Sequence, residues 1–277
     1  MTTLSTSIKM KTDFAIVTSL YNVQELQRDD NRSWEDYLEW FSKTLQIKCP
    51  FIIFTEEYLV ETIKEIRQDL PTEIIVEPLE QIPYFHLKNS IQEVIDSEFY
   101  KENMADTNRV ECNYSMYPVI QYSKFKWLKK ASENNSFDSK FFFWLDAGAS
   151  RFLYDCNLEN DYPSEDALLE LDQLDNTFLI QYNTECYPDL VNSQTLSESY
   201  FWDNRSFICG SMFGGNKTAI ENISNEIDYV LDYMIENKIV NNEQIAIGYL
   251  CKTKENLFTK FHRVNGKNHL CLFQEMA

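Results

Sequence analysis

Apolar residues along this chain fall into short unbroken runs, and amphipathic stretches with helical spacing separate them. Asp13–Ser19 (DFAIVTS), Phe51–Thr55 (FIIFT) and Glu73–Val76 (EIIV) are too short for helices and too apolar for loops, so they read as buried strands. Between the first two, Trp34, Tyr37, Leu38, Phe41 and Leu45 recur at helical spacing. Ser33 precedes them as an N-cap, with Glu35 and Asp36 in the first turn. Glu56–Leu70 forms a second amphipathic helix, closed by Pro71. The opening third is therefore β-α-β-α-β, the pattern of a parallel sheet.

The pattern is less clear from Pro78 to Asn113, where only Ile91–Phe99 reads as a helix. Met116–Lys130 is a helix with Val119, Ile120, Phe125 and Leu128 near one face. It leads into Phe141-Phe142-Phe143-Trp144-Leu145, a run with no polar alternation and hence a strand buried on both faces. An acidic helix over Ser164–Leu174 and a strand over Thr177–Gln181 follow, and Asn183–Asn204 reads as an irregular insertion carrying Tyr187, Tyr200 and Trp202. Phe207–Gly215 reads as a strand running into a glycine turn, Thr218–Asn237 as a long helix, and Asn242–Leu250 as the start of another. No repeat or linker divides the chain. We expect one α/β domain over residues 1–277, with a mostly parallel central sheet flanked by helices and residues 1–11 as a flexible tail.

Charge and cysteine usage narrow the function. The net charge of −19 comes from 44 acidic and 25 basic residues and disfavours nucleic acid or an anionic membrane as a partner. A small phosphorylated ligand needs only two or three local arginines. Seven dispersed cysteines without a CxxC pair argue against a disulfide framework or structural zinc and for a reducing compartment. The polar start Met1–Lys11 and the lack of an 18-residue apolar run point to a cytoplasmic protein with at most peripheral membrane contact.

Open α/β sheets bind ligands at the carboxyl ends of their strands. Three such ends offer polar groups: Thr18, Ser19 and Tyr21 after the first strand, Thr55 and Glu56 after the second, and Asp146 after the aromatic run. Ala147 and Gly148 leave room beside Asp146, and Arg151 follows; a turn-capping aspartate is the plainer alternative. Tyr21 can stack on a base, and Arg28 and Arg32, on a polar loop, can reach phosphates. Walker, GxGxxG, HExxH and GxSxG motifs are all absent, so the commonest nucleotide, protease and hydrolase readings have no anchor.

Together these residues carry a resemblance. A βαβαβ half, a helix bearing Lys124 and an apolar strand ending in an acid resemble a GT-A glycosyltransferase. More narrowly, IVTSLYNV, NRSWEDYLEWF, PFIIFTEE, QYSKFKWL, FFFWLDAGASRF, FICGSMFGGNK and NNEQIAI resemble, in order from Ile16 to about Ile247, the HtrL/YibB (WlaTC) family of bacterial surface-polysaccharide loci. The resemblance implies transfer of a sugar, as in a hexosyltransferase, from a nucleotide diphosphate, first of all UDP, onto a cell-surface glycan such as lipooligosaccharide or capsule. In that reading Thr18, Ser19 and Tyr21 hold the nucleotide. Arg28, Arg32, Lys124 and Arg151 offset the diphosphate, and it passes over Ala147 and Gly148. Asp146 fixes the leaving group and Glu243 is the general base. Trp202, Gly210, Phe213, Gly214, Gly215 and Gln244 fall on the sugar and acceptor side; the glycines also fit a tight turn, and Glu243 ordinary helix-start charge.

In this fold the acid belongs to a DxD motif that meets the diphosphate through Mn²⁺ or Mg²⁺. Here the second acid is Gly148, so the implied metal ligands reduce to Asp146 and a C-terminal histidine, His269. A single carboxylate is a poor site for a hard cation. A non-catalytic sugar-nucleotide binder and a nucleotidyltransferase, which also uses acids on a central strand, are the alternative functions.

Overall fold

The first apolar run forms the strand β1 (Phe14–Leu20), buried along its whole length. The computed structural model describes residues 13–23, 32–152, 158, 160–183, 190, 196 and 198–263. Parallel to β1 on one side lies β2 (Phe51–Thr55) and on the other β4 (Phe141–Leu145), with Ile16 opposite both Phe51 and Phe143. The strand β3 (Thr72–Val76) adds in parallel to β2. Beyond β4, the antiparallel strand β6 (Ile208–Asn216) separates it from β5 (Phe178–Asn183), and β7 (Phe258–Arg263) closes the edge in parallel to β5. The order is β3-β2-β1-β4-β6-β5-β7.

Side chains alternate across this sheet with period two and fill two cores. Ala15, Val17, Ile52, Phe54, Phe142 and Trp144 share one core with α3 (Lys88–Asp96), α5 (Met116–Asn134), α7 (Lys217–Glu236) and α8 (Glu243–Thr253). Phe14, Ile16, Phe51, Ile53, Phe141 and Phe143 share the other with α1 (Trp34–Thr44), α2 (Val60–Arg67) and α6 (Glu165–Gln173). Burial on both faces explains why β4 is apolar at every position. Ser33 caps α1 as its sequence implies: Asp36 N–H donates to Ser33 Oγ at 3.1 Å, and Ser33 N–H donates back to Asp36 Oδ2 at 2.7 Å.

Four readings of the sequence need correction. The helix expected over Glu56–Leu70 is a single turn (Glu57–Leu59) followed by α2, which ends where Gln68 adopts φ 47°. The helix expected over Ile91–Phe99 divides into α3 and α4 (Glu98–Asn103), because Ser97 is extended and caps the second by accepting from Tyr100 N–H. Gly214 and Gly215 make no turn. They lie within β6, and α7 begins directly at its cap Asn216. Gly214 stands opposite Phe143, where a Cβ would fall 2.2 Å from the Phe142 carbonyl oxygen, so glycine permits close strand approach there. The fourth is β7, which the periodicity did not indicate. Among the described residues no helix is long and apolar enough to cross a membrane.

Candidate active site

A cavity of about 680 Å³ opens where β1 and β4 end and β6 begins. Its walls come from Ser19–Val23 after β1, Arg32–Glu35 at the start of α1, one face of α5, Asp146–Gly148 after β4, and Cys209–Ser211 of β6. Tyr117, Gln121 and Lys124 reach it from α5 at the i, i+4, i+7 spacing of a single helical face.

At its floor, Lys124 Nζ lies 2.9 Å from Asp146 Oδ1 and 2.6 Å from Glu243 Oε1, and donates to the Gly210 carbonyl at 3.0 Å. Three acceptors use all three ammonium N–H groups. The Trp144 indole N–H donates to the same Asp146 oxygen at 2.6 Å. Burial alone would pull the Lys124 ammonium down, but Asp146 and Glu243 more than offset it and hold it charged, above its ordinary value. Burial pushes Glu243 above the usual carboxylate range, against the opposing pull of Lys124.

Each member of this cluster is fixed from behind. Trp144 continues a stack in which Trp127 lies 5.8 Å away at 10° and Tyr21 a further 5.6 Å at 7°, tying the ends of β4 and β1 together through α5. Glu243 opens α8, whose cap Asn242 accepts from Ile245 N–H, and Tyr122 O–H donates to the Asn241 and Asn242 carbonyls. Gly210 leaves space for the ion pair, since a Cβ there would lie 2.4 Å from Glu243 Oε1.

The expected site residues divide. Ser19, Tyr21, Arg32, Lys124, Asp146, Ala147, Gly148, Arg151, Gly210, Glu243 and Gln244 all border the cavity. Thr18 does not: it is fully buried within the sheet. The Tyr21 ring stacks on Trp127 and is 5% exposed, so it has no free face for a base; its hydroxyl is buried, without a hydrogen-bond partner among the described residues. Glu243 is 1% exposed and Asp146 34%, so the carboxylate open to a substrate belongs to Asp146 and Glu243 stands behind Lys124. Phe213 and Gly215 lie in the sheet with Gly214, and Trp202 packs on Phe99 and Tyr100, all away from the cavity. Arg28 and His269 lie outside the described residues. Trp144 and Gln121 were missed. Gln121 brings to the cavity wall a buried side-chain oxygen that has no partner among the described residues, and its spacing from Lys124 was the available signal.

A divalent cation does not fit this arrangement. Among the described residues no three His, Cys, Asp or Glu side chains gather as a ligand set. The Asp146 carboxylate already carries an ammonium and an indole N–H on Oδ1. At position 148 a side chain would meet the Arg151 guanidinium, whose atoms lie 3.3 Å from a Cβ built there.

A family model described as "Bacterial protein of unknown function (HtrL_YibB)" matches residues 12–273. No curated protein matches the chain. Among solved structures, core-mannan synthase A from Aspergillus fumigatus, in an Mn/GDP form, is similar with a TM-score of 0.52 and 9% identity, over 91% of this chain and 73% of that one. Mouse xyloside xylosyltransferase 1, in its apo form, is similar with a TM-score of 0.45 and 10% identity, over 90% of this chain and 85% of that one. At such identity the likeness to the mannan synthase bears on the fold, which is the mixed α/β arrangement with a mostly parallel sheet expected from the sequence.

Proposed function

The chain belongs to the HtrL_YibB family of bacterial proteins, and we propose that it is a glycosyltransferase moving a sugar from a nucleotide diphosphate onto a cell-surface glycan, acting in the cytoplasm. The observation that carries this reading is Asp146, a part-exposed carboxylate held rigidly at the carboxyl end of the central strand of a glycosyltransferase-like sheet, facing a cavity large enough for a nucleotide. The mannan synthase structure names GDP as its ligand, which supports a nucleoside diphosphate in the corresponding cavity here. The first donors to test are UDP-sugars, then GDP-sugars.

In this mechanism Ser19, the Tyr21 hydroxyl and Gln121 hydrogen-bond the nucleoside. Arg32 and Arg151 face the diphosphate, and two guanidiniums suit its paired oxygens. Asp146 presents its Oδ2 to the reacting hydroxyl and accepts its proton. The hydroxyl oxygen bonds to the anomeric carbon, and the bond from that carbon to the diphosphate oxygen breaks and leaves the nucleoside diphosphate. Lys124 and Trp144 are positioning groups that hold Asp146 Oδ1 and so aim the carboxylate, and Glu243 holds Lys124 from behind. Preorganisation of this kind is the main way such sites lower a barrier.

The test is a panel of UDP- and GDP-sugars assayed for hydrolysis and for transfer to bacterial surface glycans. Turnover of one donor, lost in Asp146→Asn, supports the reading. Binding of nucleotide without turnover on any acceptor favours a sugar-nucleotide binding protein instead. Absence of binding to every nucleotide sugar refutes both.

A further inference from the structure

Six charged side chains border the cavity among the described residues: Arg32, Lys124 and Arg151 against Glu35, Asp146 and Glu243. Each carboxylate is thus matched by a cation, and no surplus of negative charge is left to attract a dication. At Asp146 and Glu243 the match is local as well as numerical. Lys124 sits 2.9 Å from Asp146, and it is enclosed, 7% exposed, with every N–H committed. Arg151 is built in beside Gly148: its Nε donates to the Gly148 carbonyl at 3.0 Å and its guanidinium lies 4.7 Å over the Trp40 ring. The two places where a paired-acid metal site would supply its ligands, positions 146 and 148, each face a fixed cation of the protein itself.

We propose that Lys124 and Arg151 are resident cations standing in for a divalent ion, so that this protein holds its donor diphosphate without metal. The inference rests on the nucleotide-sugar reading above. Lys124 cancels the charge that Asp146 would otherwise turn against the phosphates, and it does not touch the donor. Arg151 faces the diphosphate itself. A dication at Asp146 would have to displace the ammonium or lie beside it against their mutual repulsion.

The experiment uses the whole wild-type protein with UDP and GDP as probes. Calorimetric titration in EDTA and in Mn²⁺ should give affinities within about twofold of each other, and the electron paramagnetic resonance signal of aqueous Mn²⁺ should persist in the presence of protein, with or without nucleotide. Arg151→Met should weaken diphosphate binding by at least about tenfold, as expected for a lost charged contact, while uridine or guanosine binding changes by less than about twofold. Stoichiometric Mn²⁺ uptake, or nucleotide binding lost on chelation, overturns the inference and leaves the donor class standing. An Arg151→Met protein with unchanged UDP and GDP affinity overturns the role given to Arg151. Failure of both nucleotides to bind in either buffer overturns the donor class and this inference with it.

Discussion

Gly210→Ala is the sharpest probe of the buried ion pair, because it adds one methyl group without touching any charge. The backbone of Gly210 lies in the strand β6 and avoids the left-handed region, so alanine brings no dihedral strain. The new Cβ would fall 2.4 Å from Glu243 Oε1 and 3.0 Å from Gln244 Cγ. Ordinary contact requires the carboxylate to retreat by about 1 Å. Glu243 cannot do so freely, since Lys124 holds that oxygen at 2.6 Å and the capped start of α8 holds its backbone. A retreat of that size takes the contact beyond hydrogen-bonding range. The loss of a charge-assisted buried bond costs about 1.5–3 kcal/mol, and overpacking adds about 1–3 kcal/mol. For a chain of this size each kcal/mol lowers Tm by about 2–4 °C, so a fall of roughly 5–24 °C is expected in thermal melts. A double-mutant cycle isolates the cause. In a Glu243→Ala background the methyl group meets no carboxylate, and Gly210→Ala should then cost less than about 0.5 kcal/mol. Additive costs in the cycle would refute the claim that Gly210 is small to admit this ion pair.

Three further outcomes follow from the same cluster. Asp146→Asn keeps an acceptor for the Trp144 indole N–H, so the fold should survive with little change in Tm while turnover falls at least about a hundredfold; wild-type turnover would remove the basis of the site. Lys124→Met leaves the enclosed Glu243 without its cation and should cost about 3–5 kcal/mol in urea denaturation, and an unchanged midpoint would show that the pair contributes nothing. Burial raises Glu243 above its ordinary 4.5, so the native state keeps a proton that the unfolded chain has released. Wild-type stability should therefore fall as pH rises from about 4.5 toward the raised native value, then level off. Glu243→Gln should remove that slope, and parallel pH profiles for the two proteins would contradict it.

The left half of the sheet was legible because β1, β2 and β4 are buried at every position and leave no ambiguity of period. FIIFT is the strand β2 residue for residue, and the aromatic run is β4. β7 was missed because FTKFHR has only two apolar residues, three apart, in one short stretch at a sheet edge, where pairing with β5 and not local pattern decides the outcome. Gly214 and Gly215 misled for a similar reason. A glycine pair before a helix reads as a turn, whereas here the pressure comes from Phe142 on a strand far away in sequence. Strand-end logic pointed to Asp146 and its neighbours Ala147, Gly148 and Arg151, and the structure places all four beside the cavity.

What a linear reading could not supply is the order of burial within the site. Lys124, Asp146 and Glu243 come from a helix, a strand end and a second helix start, 119 residues apart at the extremes. Nothing local tells which carboxylate is outermost. The sheet decides it: β6 runs antiparallel between β4 and β5, so Gly210 and the α8 start are brought behind Lys124 while Asp146 projects from the end of β4. Asp146 thereby keeps one oxygen bound to the protein and a third of its surface open, and Glu243 keeps almost none. The same topology turns Tyr21 inward onto Trp127, so the ring expected to stack on a base has no face left for one and its hydroxyl is buried. In the proposed mechanism the Asp146 carboxylate, aimed from a strand end and balanced from below by a lysine that has no N–H left to give, acts on a hydroxyl group rather than gathering a metal.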